Sequence, residues 1–346
     1  MQREQLIDTW LNQVLPQQDF KINYLAGDAS FRRYARITLS SQRYMLMDAP
    51  PEQEDCAPFV QIASYLSSYG ARVPQIVAQD LTQGFLLLED FGDQLLSTEL
   101  NQSTVDQYYL QAFAQIIQLQ SIAVDSQIFP QYSAEKLTDE MRLFDHWMLP
   151  ALDITLSEAQ QNMLNNSYAW ILDNLKNQPQ VIVHRDYHSR NLMVLDGEPV
   201  LGVIDFQDAV VGPDTYDFIS IVRDAYVQWL PEQVAKWVDQ FYGLLPESAK
   251  VGRSLEQFRL DAEVMSIQRH LKILGIFVRL FVRDGKSGYL KDLPRVMWYL
   301  RQELKNCPEL AELQSFVQNE VMPKFEQKYG TYQEVTIEML KEEVSQ

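Results

Sequence analysis

The chain has 346 residues, of which 46% are hydrophobic and 22% are charged, and its formal net charge is −18. This length exceeds what one hydrophobic core usually supports, so two lobes are expected. The negative net charge argues against a nucleic-acid ligand, because phosphates are bound by lysine and arginine. It also argues against binding to anionic membranes. It suits either a cationic substrate or the ordinary surface of a cytoplasmic protein.

Cysteine usage and hydropathy also point to a cytoplasmic protein. The two cysteines, Cys56 and Cys307, show no metal-ligand spacing, which fits a reducing compartment. The first ten residues carry three charged side chains and lack the apolar stretch of a signal peptide. The longest apolar run, 271–282, is too short to span a bilayer and predicts a buried helix.

The first ninety residues are dominated by strand-like segments. An amphipathic helical pattern opens the chain and ends at Pro16. A second helix is expected over 55–69. Residue types favoured in strands occur over 21–26, 32–39, 43–48, 73–79 and 85–88. The sequence therefore predicts a small, β-rich N-terminal lobe over residues 1–90.

From residue 91 onward the pattern becomes mainly helical. Apolar residues at helical spacing predict helices over 104–122, 137–149 and 157–177. Further on, Gly212-Pro213 predicts a loop, and Asp214 or Asp217 could cap the helix that follows it. We therefore expect an α+β fold with a larger, mainly helical C-terminal lobe over 91–346.

The most informative stretch is residues 184–191, which read HRDYHSRN. Two apolar runs separated by an Asp-Gly turn follow it and predict a β-hairpin. This turn sets Asn191 opposite Ile204, so Asn191 and Asp205 emerge at the same end of the hairpin, and Asp186 lies on the loop that enters it. Two oxygen ligands beside a proton acceptor suit Mg²⁺ and a polyphosphate.

This pattern resembles the catalytic and metal loops of the protein-kinase-like superfamily. The second histidine of this stretch, His188, and the Ile-Asp-Phe-x-Asp motif at residues 204–208 are similar to those of the small-molecule branch, the aminoglycoside phosphotransferase-like kinases. The resemblance implies a bilobal protein-kinase-like fold that uses ATP and Mg²⁺. Asp186 matches the catalytic residue that orients the attacking hydroxyl and accepts its proton, and Asn191 and Asp205 match the two Mg²⁺ ligands. Asp217 matches a residue that hydrogen-bonds the catalytic-loop backbone.

The same resemblance implies where ATP binds. The turn that contains Gly27 and Ser30 would close over the phosphates, with backbone N–H groups and the serine hydroxyl as donors. The segment from Glu89 to Phe91 is similar to the hinge whose backbone binds the adenine edge. Backbone recognition leaves little trace in a sequence, so this prediction depends on position in the chain.

One departure from the family pattern concerns the third strand, where the family has a lysine that holds the phosphates. Met47 stands at about that place. Arg32, Arg33 and Arg43 are the nearest cations that could replace it, and strand alternation puts the first two on opposite faces. The alternatives are that Mg²⁺ carries more of the phosphate charge, or that the lobe no longer binds ATP productively.

Four segments resemble one particular subgroup of these small-molecule kinases. Residues 45–52, 87–93, 184–193 and 268–277 are similar to the anomeric sugar kinases of bacterial cell-wall recycling. Those enzymes phosphorylate N-acetylmuramate and N-acetylglucosamine at the anomeric hydroxyl, with ATP as the donor. The methionine in place of lysine also fits that subgroup. The resemblance therefore implies a small-molecule sugar substrate.

An amino-sugar pocket needs aromatic faces and neutral donors, and the lactyl carboxylate of muramate needs an arginine. The candidates are His188, Arg142, Trp147, Arg269 and His270. Each also has a structural interpretation, in the core, in an ion pair or in bracing the loop. Two functions remain as alternatives: a kinase of an aminoglycoside, choline or homoserine, and a catalytically silent nucleotide-binding protein. The sequence does not identify a protein partner.

Overall fold

The computed structural model describes residues 2–16, 18–25 and 31–333. The helices in this part of the chain are α1 (Arg3–Val14), α2 (Ala57–Ser68), α3 (Leu96–Glu99), α4 (Val105–Ser121), α5 (Ala134–Leu143), α6 (Leu149–Ala151), α7 (Glu158–Lys176), α8 (Tyr216–Val222), α9 (Pro231–Leu244), α10 (Glu247–Lys250), α11 (Leu255–Asp284), α12 (Leu293–Lys305), α13 (Ala311–Phe316) and α14 (Met322–Tyr329). The strands are β1 (Lys21–Tyr24), β2 (Arg33–Thr38), β3 (Arg43–Asp48), β4 (Ile76–Asp80), β5 (Phe85–Glu89), β6 (Gln180–Val183), β7 (Leu192–Val194), β8 (Leu201–Val203) and β9 (Val210–Pro213).

Residue contacts divide the chain into two units. The first contains Met1–Glu99 and Arg190–Ala209, and the second contains Leu100–Ser189 and Val210–Gln346. The β7–β8 hairpin thus belongs to the first unit, whereas the expected lobes, with their boundary at residue 90, placed it in the second. The reason is hydrogen bonding: the Val194 N–H donates to the Gln94 carbonyl, and the Val203 N–H donates to the Arg72 carbonyl, both at 2.8 Å.

The first unit is built on a five-stranded antiparallel sheet with strand order β1-β2-β3-β5-β4. The apolar side of α1 packs on this sheet with Ile7, Trp10 and Leu11 buried. The predicted third strand is confirmed without a shift, and the strand expected over 73–79 begins only at Ile76. Pro74 explains the delay, because a proline has no N–H to donate to a ladder.

In the second unit helices α5, α7, α8, α9 and α12 pack against the 30-residue helix α11. Gly275 lets this helix approach the chain at Leu143, since a Cβ at this position would lie 2.2 Å from the Leu143 carbonyl carbon. The expectation of a buried helix over 271–282 holds for most of that run, but Phe281 and Val282 are exposed. Among the described residues, no helix combines the length and apolar character needed to cross a bilayer.

The loop predicted at Gly212-Pro213 is wrong. These residues end β9, which pairs antiparallel with β6 so that Pro213 lies opposite Gln180. A proline fits there because the end of a strand can lack a donor. A Cβ on Gly212 would lie 3.2 Å from the Tyr132 ring, so glycine at this position allows that ring to pack closely.

Candidate active site

The loop that carries Asp186 begins directly after β6 and is held at its start by Asp217. The buried Asp217 carboxylate accepts hydrogen bonds from the backbone N–H groups of His184 (2.7 Å) and Arg185 (3.0 Å). Arg185 has φ +76°, a left-handed conformation that costs roughly 1–3 kcal/mol for a residue with a side chain. The expected bracing role of Asp217 is confirmed, and the bonds stabilise the loop in this conformation.

The capping role considered for Asp214 and Asp217 is wrong. The N-cap of α8 is Thr215, and no side chain caps this helix. Asp214 instead forms an ion pair with Arg253, and Asp217 points back to the catalytic loop. The sequence pattern placed both carboxylates near a helix start, but tertiary partners determine where they point.

A second buried carboxylate, Asp224, holds the far end of the same loop. It accepts hydrogen bonds from the Ser189 N–H at 2.8 Å and from the Ser189 hydroxyl at 2.5 Å. Inside the loop, His184 Nδ1 accepts a hydrogen bond from the Asp186 N–H at 3.2 Å, so the His184 ring helps to hold the loop in place. Asp224 could not be recognised from the sequence, because its partner Ser189 lies 35 residues away.

Burial alone would raise the pKa of Asp186, but nearby positive charges more than offset it. Lys272, Arg269 and Arg185 together hold the pKa of this carboxyl below its ordinary value of 3.8. Burial lowers the pKa of His188, so this imidazole is neutral at neutral pH. Asp186 is therefore ionised at neutral pH and can accept a hydrogen bond from an attacking hydroxyl.

The cations next to Asp186 belong to a buried network that supports the catalytic loop. Lys272 lies 3.2 Å from the Glu140 carboxylate and donates to the Tyr216 hydroxyl at 3.0 Å. Glu140 also pairs with Arg185 at 2.8 Å. Arg269 donates to the Arg185 carbonyl at 3.1 Å. In the sequence, Lys272 stands inside an apolar helical run, which indicates a buried charge, but its connection to the catalytic loop was not predicted.

The β7–β8 hairpin has the register that the sequence predicted. Leu192 pairs with Val203, and the Ile204 N–H donates to the Asn191 carbonyl at 3.1 Å. At this end of the hairpin the Asn191 amide lies 3.2 Å from the Asp205 carboxylate. Asp205 adopts φ +65°, another left-handed conformation.

This pair of side chains fits a magnesium ion. Mg²⁺ is usually bound through one or two carboxylates together with substrate phosphates and water. Asp205 supplies a carboxylate. The Asn191 side chain now directs its amide nitrogen at Asp205, and rotation of the amide group would direct its oxygen there instead. Which of the two amide atoms faces Asp205 is assigned from hydrogen bonding alone. In the part of the chain that the structure describes, no cluster of three or more His, Cys, Asp or Glu could hold a metal. Asn191 and Asp205 would thus need nucleotide phosphates to complete a coordination shell.

Arg32 and Arg33 have different partners, as expected for opposite faces. Arg33 binds the fully buried Asp48 through two hydrogen bonds of 2.6 and 2.9 Å. Arg32 pairs with Glu54, just before α2, at 2.7 Å. Gly27 and Ser30, expected to contact the phosphates, lie outside the described residues.

Arg32 and Met47 share a neighbour, Tyr34. The Tyr34 hydroxyl is 3.4 Å from the Met47 sulfur. Burial raises the pKa of Tyr34 to about 12, while a hydrogen bond from Arg32 opposes the shift and the charge of Asp205 adds to it. Arg32, Tyr34, Met47 and Asp205 therefore form one neighbourhood within the first unit.

Glu89 and Phe91, which were expected to form the hinge, are linked through Arg72. Its guanidinium binds the Glu89 carboxylate at 2.7 and 2.8 Å and lies 4.6 Å from the centre of the Phe91 ring. A Cβ on Gly202 would lie 2.5 Å from that ring, so only glycine lets Phe91 pack on the hairpin. Glu89 and Phe91 border a cavity of about 420 Å³ within the first unit.

The structure brings two of the five candidate substrate residues, Arg269 and His188, to the catalytic loop. Arg142 binds Asp145 and Asn165, and Trp147 is half-buried in a π-helical segment. His270 is buried and lies 2.9 Å from the Glu303 carboxylate. Arg142 and His270 thus have polar partners of their own, and Trp147 is partly buried within its helical segment.

Comparison with known proteins is consistent with this geometry. A choline kinase from Cryptosporidium parvum Iowa II superposes with a TM-score of 0.61 at 12% identity, over 91% of this chain and 100% of that chain. At this identity the likeness concerns the fold alone, and it confirms the predicted α+β, protein-kinase-like fold.

Two curated relatives are closer in sequence, and both are named N-acetylmuramate/N-acetylglucosamine kinase. The protein from Pseudomonas putida is 40% identical, over 83% of this chain and 85% of that protein. The protein from Pseudomonas aeruginosa is 38% identical, over 90% of this chain and 95% of that protein. A sequence profile described as APH, phosphotransferase enzyme family, matches residues 21–251. This chain belongs to the APH phosphotransferase enzyme family.

Proposed function

We propose that this protein is a cytoplasmic kinase that transfers the γ-phosphoryl group of ATP to the anomeric hydroxyl of N-acetylmuramate or N-acetylglucosamine. The observation that carries the proposal is the identity of 40% and 38% with two kinases of that name, over most of both chains. The phosphotransferase family supplies the reaction class and implies ATP as the donor. The substrate and the dependence on Mg²⁺ are the proposed part.

Asp186 is proposed to orient the anomeric hydroxyl and to accept its proton. The nearby cations keep its pKa low, so it is a weak base. A weak base is sufficient here, because an anomeric hydroxyl is more acidic than an ordinary alcohol and its proton can leave late in the reaction. Transfer then depends mainly on alignment of the reacting groups and on neutralisation of the phosphate charge.

Asn191 and Asp205 are proposed to hold Mg²⁺, which would neutralise charge on the transferred phosphoryl group. Their joint position at one end of a regular hairpin supports this role. Gly27 and Ser30 are proposed to contact the phosphates, and the backbone of Glu89 to Phe91 is proposed to bind the adenine edge.

Arg32 is the proposed substitute for the missing lysine. It contacts Tyr34, whose hydroxyl contacts the Met47 sulfur, and Glu54 orients it as an acidic partner orients the lysine of a kinase. Arg33 is the less suitable candidate because both of its short hydrogen bonds hold Asp48. Replacement of Arg32 by alanine should therefore raise the KM for ATP, and Arg33→Ala, a matched control on the neighbouring residue, should leave it near normal. Equal effects of the two variants would contradict this assignment.

The substrate is tested by incubating the protein with ATP, Mg²⁺ and each candidate acceptor, and by measuring ADP release. Phosphorus NMR of the product and a reducing-end assay then locate the phosphate. We expect a non-reducing, acid-labile 1-phosphate from at least one of the two amino sugars. Turnover of an amine acceptor without turnover of either sugar, or a reducing 6-phosphate product, would refute the proposed substrate.

A further inference from the structure

A row of aromatic rings begins at the catalytic loop. The His188 ring meets Tyr226 edge to face, with ring centres 5.2 Å apart. Tyr226 stacks on Phe277 at 6.3 Å, and Phe277 contacts Tyr289 at 5.1 Å. These four residues come from four separate segments: the catalytic loop, the segment after α8, helix α11 and a 3₁₀ turn over Ser287–Asp292. His188 is already a candidate substrate residue, whereas Tyr226, Phe277 and Tyr289 have no role so far.

The position of Tyr226 relative to the catalytic loop is fixed by hydrogen bonds. Asp224 accepts from the Tyr226 N–H at 2.8 Å with one oxygen and from Ser189 with the other. Arg295 donates to the Ala225 carbonyl at 2.6 Å. A single buried carboxylate therefore connects the tyrosine to the loop that carries Asp186.

Burial along the row differs from that of an ordinary core cluster. Phe277 is 95% buried, whereas His188, Tyr226 and Tyr289 each keep part of their surface accessible. The His188 N–H donates to the Asp186 carbonyl at 2.9 Å, so the near end of the row is two residues from the proposed base. Rings that are fixed and partly accessible next to a base are suited to contact the acceptor molecule.

The chemistry of the row suits a sugar ring. The C–H faces of a pyranose are apolar and pack against aromatic rings, while its hydroxyls need neutral hydrogen-bonding groups at the ring edges. Tyrosine and neutral histidine provide both, and burial keeps the pKa of His188 low enough for the neutral form at neutral pH.

We propose that Tyr226 determines acceptor specificity by stacking against the pyranose ring, with His188 at the reacting end of the row and Tyr289 at the distal end. This inference rests on the proposed sugar kinase function. It assigns to Tyr226 a contact that orients the sugar so that its anomeric hydroxyl faces Asp186.

The test compares Tyr226→Leu with Tyr226→Phe in steady-state kinetics of the full-length protein. Loss of the ring should raise the KM for N-acetylglucosamine or N-acetylmuramate by roughly 5- to 20-fold. The KM for ATP and the ATP hydrolysis measured without sugar should stay unchanged, and Tyr226→Phe should remain within about 2-fold of the wild type. Tyr329→Leu is the matched control, because Tyr329 is also half-buried against a phenylalanine, Phe325.

An unchanged sugar KM in Tyr226→Leu, with an active wild-type protein, would overturn the stacking role. If thermal melting shows that Tyr226→Leu does not fold, Tyr289→Leu serves as the test instead. A raised KM for the sugar at a normal KM for ATP would support the role of the aromatic row. An unchanged KM for the sugar would overturn it. Failure of the proposed function gives a different result, since the wild-type protein itself would then turn over neither sugar.

Discussion

Replacement of Asp217 by asparagine tests whether two backbone hydrogen bonds hold the catalytic loop. The carboxylate accepts from the His184 and Arg185 N–H groups at 2.7 and 3.0 Å. An asparagine amide keeps one acceptor oxygen, but its NH₂ group faces the second N–H, so one bond is lost and a buried donor remains unsatisfied. A hydrogen bond to a charged acceptor contributes about 1.5–3 kcal/mol.

The neutral amide also relieves part of the cost of burying a charge. This cost is visible in the pKa of Asp217, which burial raises above its ordinary value. We therefore expect the variant to lose about 2–3 kcal/mol of unfolding free energy. For a domain of 150–250 residues this lowers Tm by roughly 4–12 °C.

Turnover should fall as well, because Arg185 occupies a left-handed conformation next to Asp186. Without one of the two bonds the loop relaxes, and a displacement of about 1 Å costs roughly 10²-fold in rate. Urea denaturation and kcat should be measured together. Asp125→Asn is the control, since Asp125 accepts a backbone hydrogen bond in a turn of the same unit. Denaturation midpoint and kcat both equal to those of the wild type would refute the bracing argument.

Three further predictions concern the proposed chemistry. Asp186→Asn should keep the fold and lower kcat by at least ~10²-fold, and a kcat near the wild-type value would remove this residue from the mechanism. Asp205→Ala should abolish Mg²⁺-dependent ATP binding and Asn191→Ala should weaken it, so unchanged Mg²⁺ titrations in both variants would show that the metal binds elsewhere. Lys272→Met should raise the pKa of Asp186, because it removes a cation that favours the carboxylate. Activity is lost as pH falls through this pKa, so the acid limb of the kcat/KM profile should move to higher pH, and an unmoved limb would contradict this electrostatic role.

The sequence predicted features that depend on neighbouring residues. The hairpin register follows from an Asp-Gly turn between two apolar runs, and the structure has the expected pairing of Asn191 with Ile204. The predicted third strand likewise needed only local residue types. Local propensity and turn chemistry are sufficient in such segments, because tertiary contacts reinforce the conformation that the residues already prefer.

Features that depend on distant partners were missed or wrongly assigned. The local sequence Gly212-Pro213 is typical of a loop. These residues form a strand because they pair with β6, which lies about thirty residues earlier in the chain. Glu140 and Lys272 contact each other across more than 130 residues, and nothing in either local sequence marks them as partners of the catalytic loop. Such contacts require the fold itself, since a single sequence contains no signal that relates one buried charge to another.

The discontinuity of the first unit constrains the order in which the protein can fold during synthesis. Its sheet ends at Glu89, yet the hairpin that covers Phe91 is made only with residues 190–209. A nascent chain therefore carries an incomplete first unit while the next hundred residues, including the catalytic loop, leave the ribosome. A fragment that ends at Glu99 would expose the apolar surface meant for this hairpin, and an independently folding version would need residues 190–209 attached through an engineered linker.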